Sequence, residues 1–280
     1  MSAPAGTGDS SSYSAGLFAL ARLSLWQIVR PPSHSRRAEA ARRWARHSLL
    51  ITALASAAII ALMVWLDARE IGWMPRRGAP GLWPVRILTD FGKDAYVLWV
   101  LAAMLLVVGF VAAAMRGTSR AQWLGFGLRL QFVFFAVLTP LLAGELIKWV
   151  VGRGRPFVGG QANPFNFAPF GGTEAYASFP SAHVITAAAL AFAVSAVWPR
   201  ARAAMIVYAL LIAATRLVLL AHHPSDVVAG ALIGVVGAMA VRYWFAARRL
   251  GFAIHRDGEI VPLRSLSGHR KRVARGAPAP

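Results

Sequence analysis

Six apolar stretches, separated by short polar turns, set the pattern of this chain. They fall at about residues 48–66, 95–115, 122–142, 183–198, 203–221 and 227–244. Crossing the hydrocarbon core of a bilayer as a helix takes about 20 apolar residues, and only helices or closed barrels satisfy their backbone groups there. The pattern therefore predicts an all-α fold, a polytopic membrane helix bundle with about six transmembrane helices. The fourth stretch is short, so its start is expected near the membrane surface. Residues 157–179 mix Gly, Asn, Pro and Phe without helical periodicity and read as an irregular loop or re-entrant cap. Three units follow: a basic N-terminal segment (1–47), a six-span membrane domain (48–246) and a basic tail (247–280), with local structure expected in the tail only near 254–263.

Charge refines this picture. The chain has 280 residues, 57% of them hydrophobic, and a formal net charge of +19. Of its 30 Lys and Arg residues, seven lie in residues 1–47 and nine in residues 242–280. Basic flanks of this kind are retained in the cytoplasm and touch anionic lipid headgroups, so the excess charge is not read as nucleic-acid binding. Arg116 with Arg120 and Arg200 with Arg202 fall on the same side when six spans alternate. Both termini are accordingly expected in the cytoplasm, with the loops at 67–94 and 148–180 and the turn at His222 on the opposite face. Residues 1–14 have no charged segment leading into an apolar core, so a cleaved signal is not expected. The chain has no cysteine, which excludes disulfides and thiolate metal sites.

Ionisable residues at membrane depth are costly and mark functional sites. Here they gather on one side. Lys148 ends the third span and is followed by Gly152-Arg153-Gly154-Arg155-Pro156. Pro180-Ser181-Ala182-His183 opens the fourth span. Arg216 lies late in the fifth, before His222-His223-Pro224-Ser225-Asp226. Three cations of this kind can neutralise a phosphoryl group, with Arg offering a planar fork and Lys a point charge. Taken singly, each could also be a snorkelling cation at a span end. Pro180 can begin a helix whose first amides face an anion, although Pro-Ser is also a common helix entry. Glu145, Arg153 and His223 read as structural or electrostatic. Gly92-Lys93 and the Gly-rich 157–172 stretch lack the spacing of a nucleotide-binding P-loop.

Three ordered motifs resemble those of the type 2 phosphatidic acid phosphatase superfamily: Lys148-x6-Arg155-Pro156, Pro180-Ser181-Ala182-His183, and Thr215-Arg216-x5-His222-x3-Asp226. Order and spacing agree over about 80 residues. Ala182 stands where the family has Gly, and Thr215 where it has Ser. The resemblance implies a metal-independent phosphatase without cofactor, acting on a phosphorylated lipid. In it, His222 attacks phosphorus to form a phosphohistidine and His183 is the general acid. Asp226 orients His222, while Lys148, Arg155, Arg216, Ser181 and Ala182 bind the phosphate. Asp226 could also cap the helix after Pro224.

Family breadth admits undecaprenyl pyrophosphate, phosphatidic acid, phosphatidylglycerol phosphate and lipid A phosphates as substrates, with the site facing the periplasm of a bacterial inner membrane. Transfer of the phosphoryl group to a hydroxyl acceptor is the near alternative. A haem protein or a transporter is the distant one. A haem site would use the histidines but leave the three cations without a role, and a transporter would show flux without phosphate release. On chemistry alone, Arg216 and His223 would share a face of an unbroken helix, but Pro224 interrupts it, and the motif spacing nominates His222.

Overall fold

The structure is a computed structural model and describes residues 8–160 and 163–263. The chain runs α1 (Gly8–Val29), α2 (Arg37–Trp65), α3 (Asp67–Trp73), α4 (Trp83–Asp90), α5 (Asp94–Ala114), α6 (Gly117–Val151), α7 (Ala182–Val197), α8 (Arg202–Val218) and α9 (Pro224–Ala247). A short antiparallel hairpin follows, pairing β1 (Phe252–Ile254) with β2 (Ile260–Pro262) in the register Ala253 to Val261.

Five of the described helices are long and apolar enough to cross a membrane, carried by α2, α5, α6, α8 and α9. The sixth expected span, α7, has 16 residues. At about 1.5 Å per residue it covers roughly 24 Å, less than a core of about 30 Å. Its shortness is accommodated because it lies inside the protein: Ile185, Ala187, Ala189 and Ala193 are fully buried. Close packing there depends on glycines in its neighbours. A Cβ at Gly144 of α6 would meet Ile185 Cδ1 at 2.3 Å, and Cβ atoms at Gly230 and Gly234 of α9 would meet the Ser181 and Ile185 carbonyl oxygens at 2.7 and 2.6 Å. Backbones in a bilayer approach this closely only where side chains are missing. Helices α6, α7 and α9 thus form the centre. The outer helices turn apolar side chains outward, among them Leu54 and Ile60 of α2, Trp99 and Leu106 of α5, and Leu210 of α8.

Alternation of the spans sorts the connections to two ends. One end gathers Asp67, Thr89, Arg153, Ser178, Arg216 and Asp226, which are joined by side-chain hydrogen bonds. At the other end Arg43 of α2 pairs with Asp257 at 2.8 Å, the Ser33 amide donates to the Ala247 carbonyl, and Phe132, Phe245 and Phe252 stack edge-on with ring centres 4.8 to 5.5 Å apart. Phe252 and Ile254 are buried, so the start of the 247–280 segment packs on the bundle. Residues 264–280 of that segment lie outside the described residues.

Sequence periodicity gave no helix in residues 1–47, yet α1 occupies much of them. It carries exposed Phe18, Leu23, Leu25 and Trp26. The Tyr13 hydroxyl donates to the Phe110 carbonyl near the end of α5, and Trp244 Nε1 of α9 donates to the Ile28 carbonyl. Helix α1 thus lies across the end of the bundle remote from His222.

Candidate active site

The site is built from the ends of α4, α6, α7, α8 and α9. Helix α6 stops at Gly152, whose left-handed conformation (φ 55°) needs glycine. A Cβ there would sit 2.0 Å from the Ala168 carbonyl oxygen. The chain then folds back on itself: the Ala168 amide donates to the Gly152 carbonyl (2.7 Å), the Gly154 amide to Asn166 (2.8 Å), and the Ser178 amide to Arg153 (3.0 Å). The irregular loop expected from composition is thereby pinned over the bundle end.

Arg216 ends α8 and is buried, with Nη1 donating to Thr89 Oγ1 of α4 at 2.8 Å. Thr215 Oγ1 lies 3.0 Å from the same Thr89 oxygen and donates to the Ile212 carbonyl at 2.6 Å. Thr215 therefore fills the family's Ser position as a fixed neighbour of the arginine's anchor. Thr89 itself carried no signal in the sequence.

Helix α8 ends at Val218 and α9 begins at Pro224, so His222 lies in the turn between them. It is 3% exposed, and its Nδ1 is 2.8 Å from the Ser178 carbonyl oxygen. An N–H there donates to that carbonyl and leaves Nε2 as the lone-pair nitrogen. Burial first, and then the charges of Arg216 and Arg155, hold the imidazole well below its usual pKa, so it is neutral near pH 7, as a nucleophile must be.

The orienting partner differs from the one expected. Asp226 Oδ2 is 3.9 Å from His222 Nδ1, outside hydrogen-bond range. Both Asp226 oxygens are already engaged: Oδ1 accepts from Arg153 Nη1 (2.6 Å), and Oδ2 accepts from Ser178 Oγ (2.6 Å) and from the His223 amide (2.9 Å). Asp226 thus caps α9 and holds Ser178, whose carbonyl holds His222. Indirect positioning replaces direct contact because the turn brings a backbone carbonyl nearer than the carboxylate.

Ser181 is fully buried before α7. Its amide donates to the Asp226 carbonyl (3.2 Å), while its hydroxyl has no partner among the described residues. That amide is therefore not available to a phosphate, and the hydroxyl is. Ala182 opens α7 and His183 follows in its first turn. No side-chain hydrogen bond caps this helix, so its leading amides can face an anion. His183 is half-buried.

Lys148 and Arg155 line a cleft of about 340 Å³ together with Glu145, Trp149, Glu174 and Tyr176. Lys148 pairs with Glu145 on its own helix, and Arg155 Nη2 with Glu174 at 2.8 Å. His222, His183 and Arg216 are not among the residues lining that cleft. Arg155 connects the two regions, since its charge acts on His222 as well. Glu145, read from sequence as electrostatic, is the partner of Lys148.

Beneath the site lies a second set of buried groups, of which only Asp226 is a motif position. Arg153, Asp67, Ser225 and Asp226 are each 0% exposed. Arg153 binds Asp67 (2.8 Å), Asp226 (2.6 Å), Ser225 Oγ (2.6 Å) and the Pro164 carbonyl. The Ser225 amide donates to Asp67 Oδ1 at 3.0 Å, and its hydroxyl to Asp67 Oδ2. His223 is also fully buried, and neither ring nitrogen has a hydrogen-bond partner among the described residues.

Glu70 of α3, 3% exposed, has no partner among the described residues for either carboxylate oxygen. Burial, and then the charge of Asp67, raise its pKa to about 7. Below pH ~4.5 the group is protonated in both folded and unfolded chains and contributes nothing to the pH dependence. Between that pH and about 7 only the folded state keeps the proton, so stability falls as pH rises. Above 7 the loss is constant, on the order of 3 kcal/mol. Glu70→Gln is therefore expected to raise the Tm at pH 8 and leave it unchanged at pH 4 in detergent. Equal Tm values for the two proteins at pH 8 would contradict the assignment.

An all-α membrane bundle with an Arg- and His-lined site at one end is the class defined so far. A family profile described as the PAP2 superfamily matches residues 129–250. Two curated relatives are named Lipid A 1-phosphatase. That of Rhizobium johnstonii is 33% identical over 208 residues, covering 72% of this chain and 82% of the relative. That of Rhizobium etli is 31% identical over 179 residues, covering 61% and 75%. No solved structure matches. The chain belongs to the PAP2 superfamily, and it is a membrane phosphatase that hydrolyses a lipid phosphomonoester.

Proposed function

We propose that this protein removes the phosphate at the 1 position of lipid A, or of a closely similar glycolipid, through a phosphohistidine on His222. The observation that carries the chemistry is the 2.8 Å contact of His222 Nδ1 with the Ser178 carbonyl, which directs Nε2 away from its anchor as the attacking atom. The substrate class rests on the two relatives named for that activity. Arg216, Arg155 and Lys148 neutralise the phosphoryl oxygens, aided by the Ser181 hydroxyl and the leading amides of α7 at Ala182 and His183. Phosphate binding exchanges the Glu145 and Glu174 partners of Lys148 and Arg155 for phosphoryl oxygens. His222 Nε2 bonds to phosphorus as the bond to the lipid oxygen breaks, and His183 gives that oxygen its proton. Water then attacks the phosphohistidine, losing a proton to His183, and inorganic phosphate leaves with His222 restored.

The test is phosphate release by detergent-solubilised protein from lipid A, undecaprenyl pyrophosphate, phosphatidic acid and phosphatidylglycerol phosphate, with mass spectrometry locating the phosphate lost. Lipid A is expected to turn over fastest and only at position 1. Faster turnover of another lipid would replace the substrate assignment. Activity is expected to survive EDTA and to be inhibited by vanadate, because the charge that stabilises the transition state comes from Lys148, Arg155 and Arg216. Loss in EDTA with recovery on adding magnesium would oppose that mechanism.

The distribution of arginines supports a periplasmic site with the α1 end in the cytoplasm. Since the chain lacks cysteine, a membrane-impermeant thiol label should modify Gly160→Cys in intact cells and spare Arg256→Cys. The opposite labelling pattern would invert the topology.

A further inference from the structure

We infer that Asp67 and Arg153 are positioning residues for the phosphoryl-transfer step, and that Asp67 supplies the negative charge which lets Asp226 stabilise His222 despite its bond to an arginine. The inference rests on His222 being the nucleophile. Neither Asp67 nor Arg153 is a motif position, and Asp67 lies outside residues 129–250 matched by the family profile.

When His222 attacks phosphorus its ring becomes cationic, so nearby negative charge lowers the barrier. Asp226 is the nearest carboxylate, 3.9 Å from Nδ1. Arg153, however, donates to its other oxygen at 2.6 Å, and a carboxylate paired with a guanidinium is close to neutral when viewed from the imidazole. Asp67 binds the same guanidinium at 2.8 Å from another side. Two carboxylates and one guanidinium leave a formal charge of −1. All three groups are fully buried, where solvent screens this charge little.

Geometry gives the pair its second task. Arg153 fixes Asp226 Oδ1, and Asp226 Oδ2 then holds Ser178 Oγ at 2.6 Å. Ser178 in turn presents its carbonyl to His222. Asp67 also takes the Ser225 amide at 3.0 Å, so the first turn of α9 is tied to the start of α3. The chain of contacts from Asp67 to Arg153, Asp226, Ser178 and His222 crosses four separate segments. Packing alone would be served by apolar residues at the same places. A net negative charge beside His222 would not.

The test compares wild type, Asp67→Asn and the double variant Asp67→Asn/Arg153→Gln in rapid-quench measurement of phosphohistidine formation and in steady-state kinetics on the lipid that turns over fastest. Asp67→Asn leaves Arg153 and Asp226 to cancel. It is expected to slow phosphohistidine formation about tenfold or more with KM within about threefold of wild type, because the phosphate-binding cations are untouched. The double variant restores −1 through Asp226 alone and is expected to be at least threefold faster than Asp67→Asn. A merely structural pair predicts the reverse, with the double variant no faster than the single one. A rate for Asp67→Asn within twofold of wild type, or no recovery in the double variant, would overturn the inference. Should Asp67→Asn not accumulate as folded protein, Asp67→Glu against Asp67→Gln makes the same charge comparison, with the Glu variant expected to be at least threefold faster. Absence of phosphohistidine in wild type would instead refute the nucleophile itself, an outcome distinct from any of these.

Discussion

His222→Ala is expected to form no acid-labile phosphohistidine and to lose turnover by about a thousandfold or more, the usual consequence of deleting a covalent nucleophile. His223→Ala is expected to keep at least about a tenth of wild-type kcat while lowering the Tm. The two neighbours differ because Pro224 starts a new helix and the turn before it sends the rings to different places. His222 is anchored on Ser178 within reach of the charges of Arg155 and Arg216. His223 is fully buried beside Asp67, Arg153 and Asp226, where its loss leaves a cavity. Acid-quench labelling with a phosphorus-labelled lipid, read beside thermal unfolding, distinguishes the effects. A phosphohistidine that persists in His222→Ala and vanishes in His223→Ala would exchange the assignments.

Arg216→Lys is expected to lower kcat/KM by about a hundredfold, equivalent to about 3 kcal/mol of transition-state stabilisation. Lysine keeps the charge but not the planar fork, and it cannot bond Thr89 while also reaching two phosphoryl oxygens. Nη1 is committed to Thr89 at 2.8 Å, whereas Nε has no partner among the described residues. That edge is left for the substrate. Thr89→Val should cost less, about fivefold in kcat/KM, since it frees the guanidinium without removing it. Steady-state kinetics on both variants decide the matter. An Arg216→Lys protein with near-wild-type kcat/KM would show that charge alone suffices and that the fork has no role.

The helical class and the long spans were readable because a bilayer admits few solutions. Long apolar runs at residues 48–66, 95–115 and 227–244 had to be helices, and their flanking arginines had to leave the hydrocarbon. The candidate site residues stand out in the sequence for a related reason: Lys148, Arg155, His183, Arg216 and His222 are ionisable groups beside or within apolar spans, where such groups are costly. Helix α1 was missed because its apolar residues are broken by Arg22, Ser24 and Gln27 and form no run of spanning length. The hairpin at 252–262 was foreseen only as local structure, since its packing on Phe132 depends on contacts more than 100 residues away in sequence.

Fold class, family and the candidate site residues could be read along the chain, because each depends on residue types at short, fixed spacing. Which group holds which is fixed by the folded molecule. The Ser178 carbonyl, rather than Asp226, takes His222, because a turn of five residues and a folded loop bring a backbone oxygen to 2.8 Å and leave the carboxylate at 3.9 Å. Thr89 anchors Arg216 across 127 positions, and Asp67 reaches Arg153 across 86. Such contacts have no period and no spacing, since they arise where separate helix ends converge. Burial then gives them their force: among groups shielded from solvent, one additional carboxylate behind an arginine can decide the charge that His222 meets.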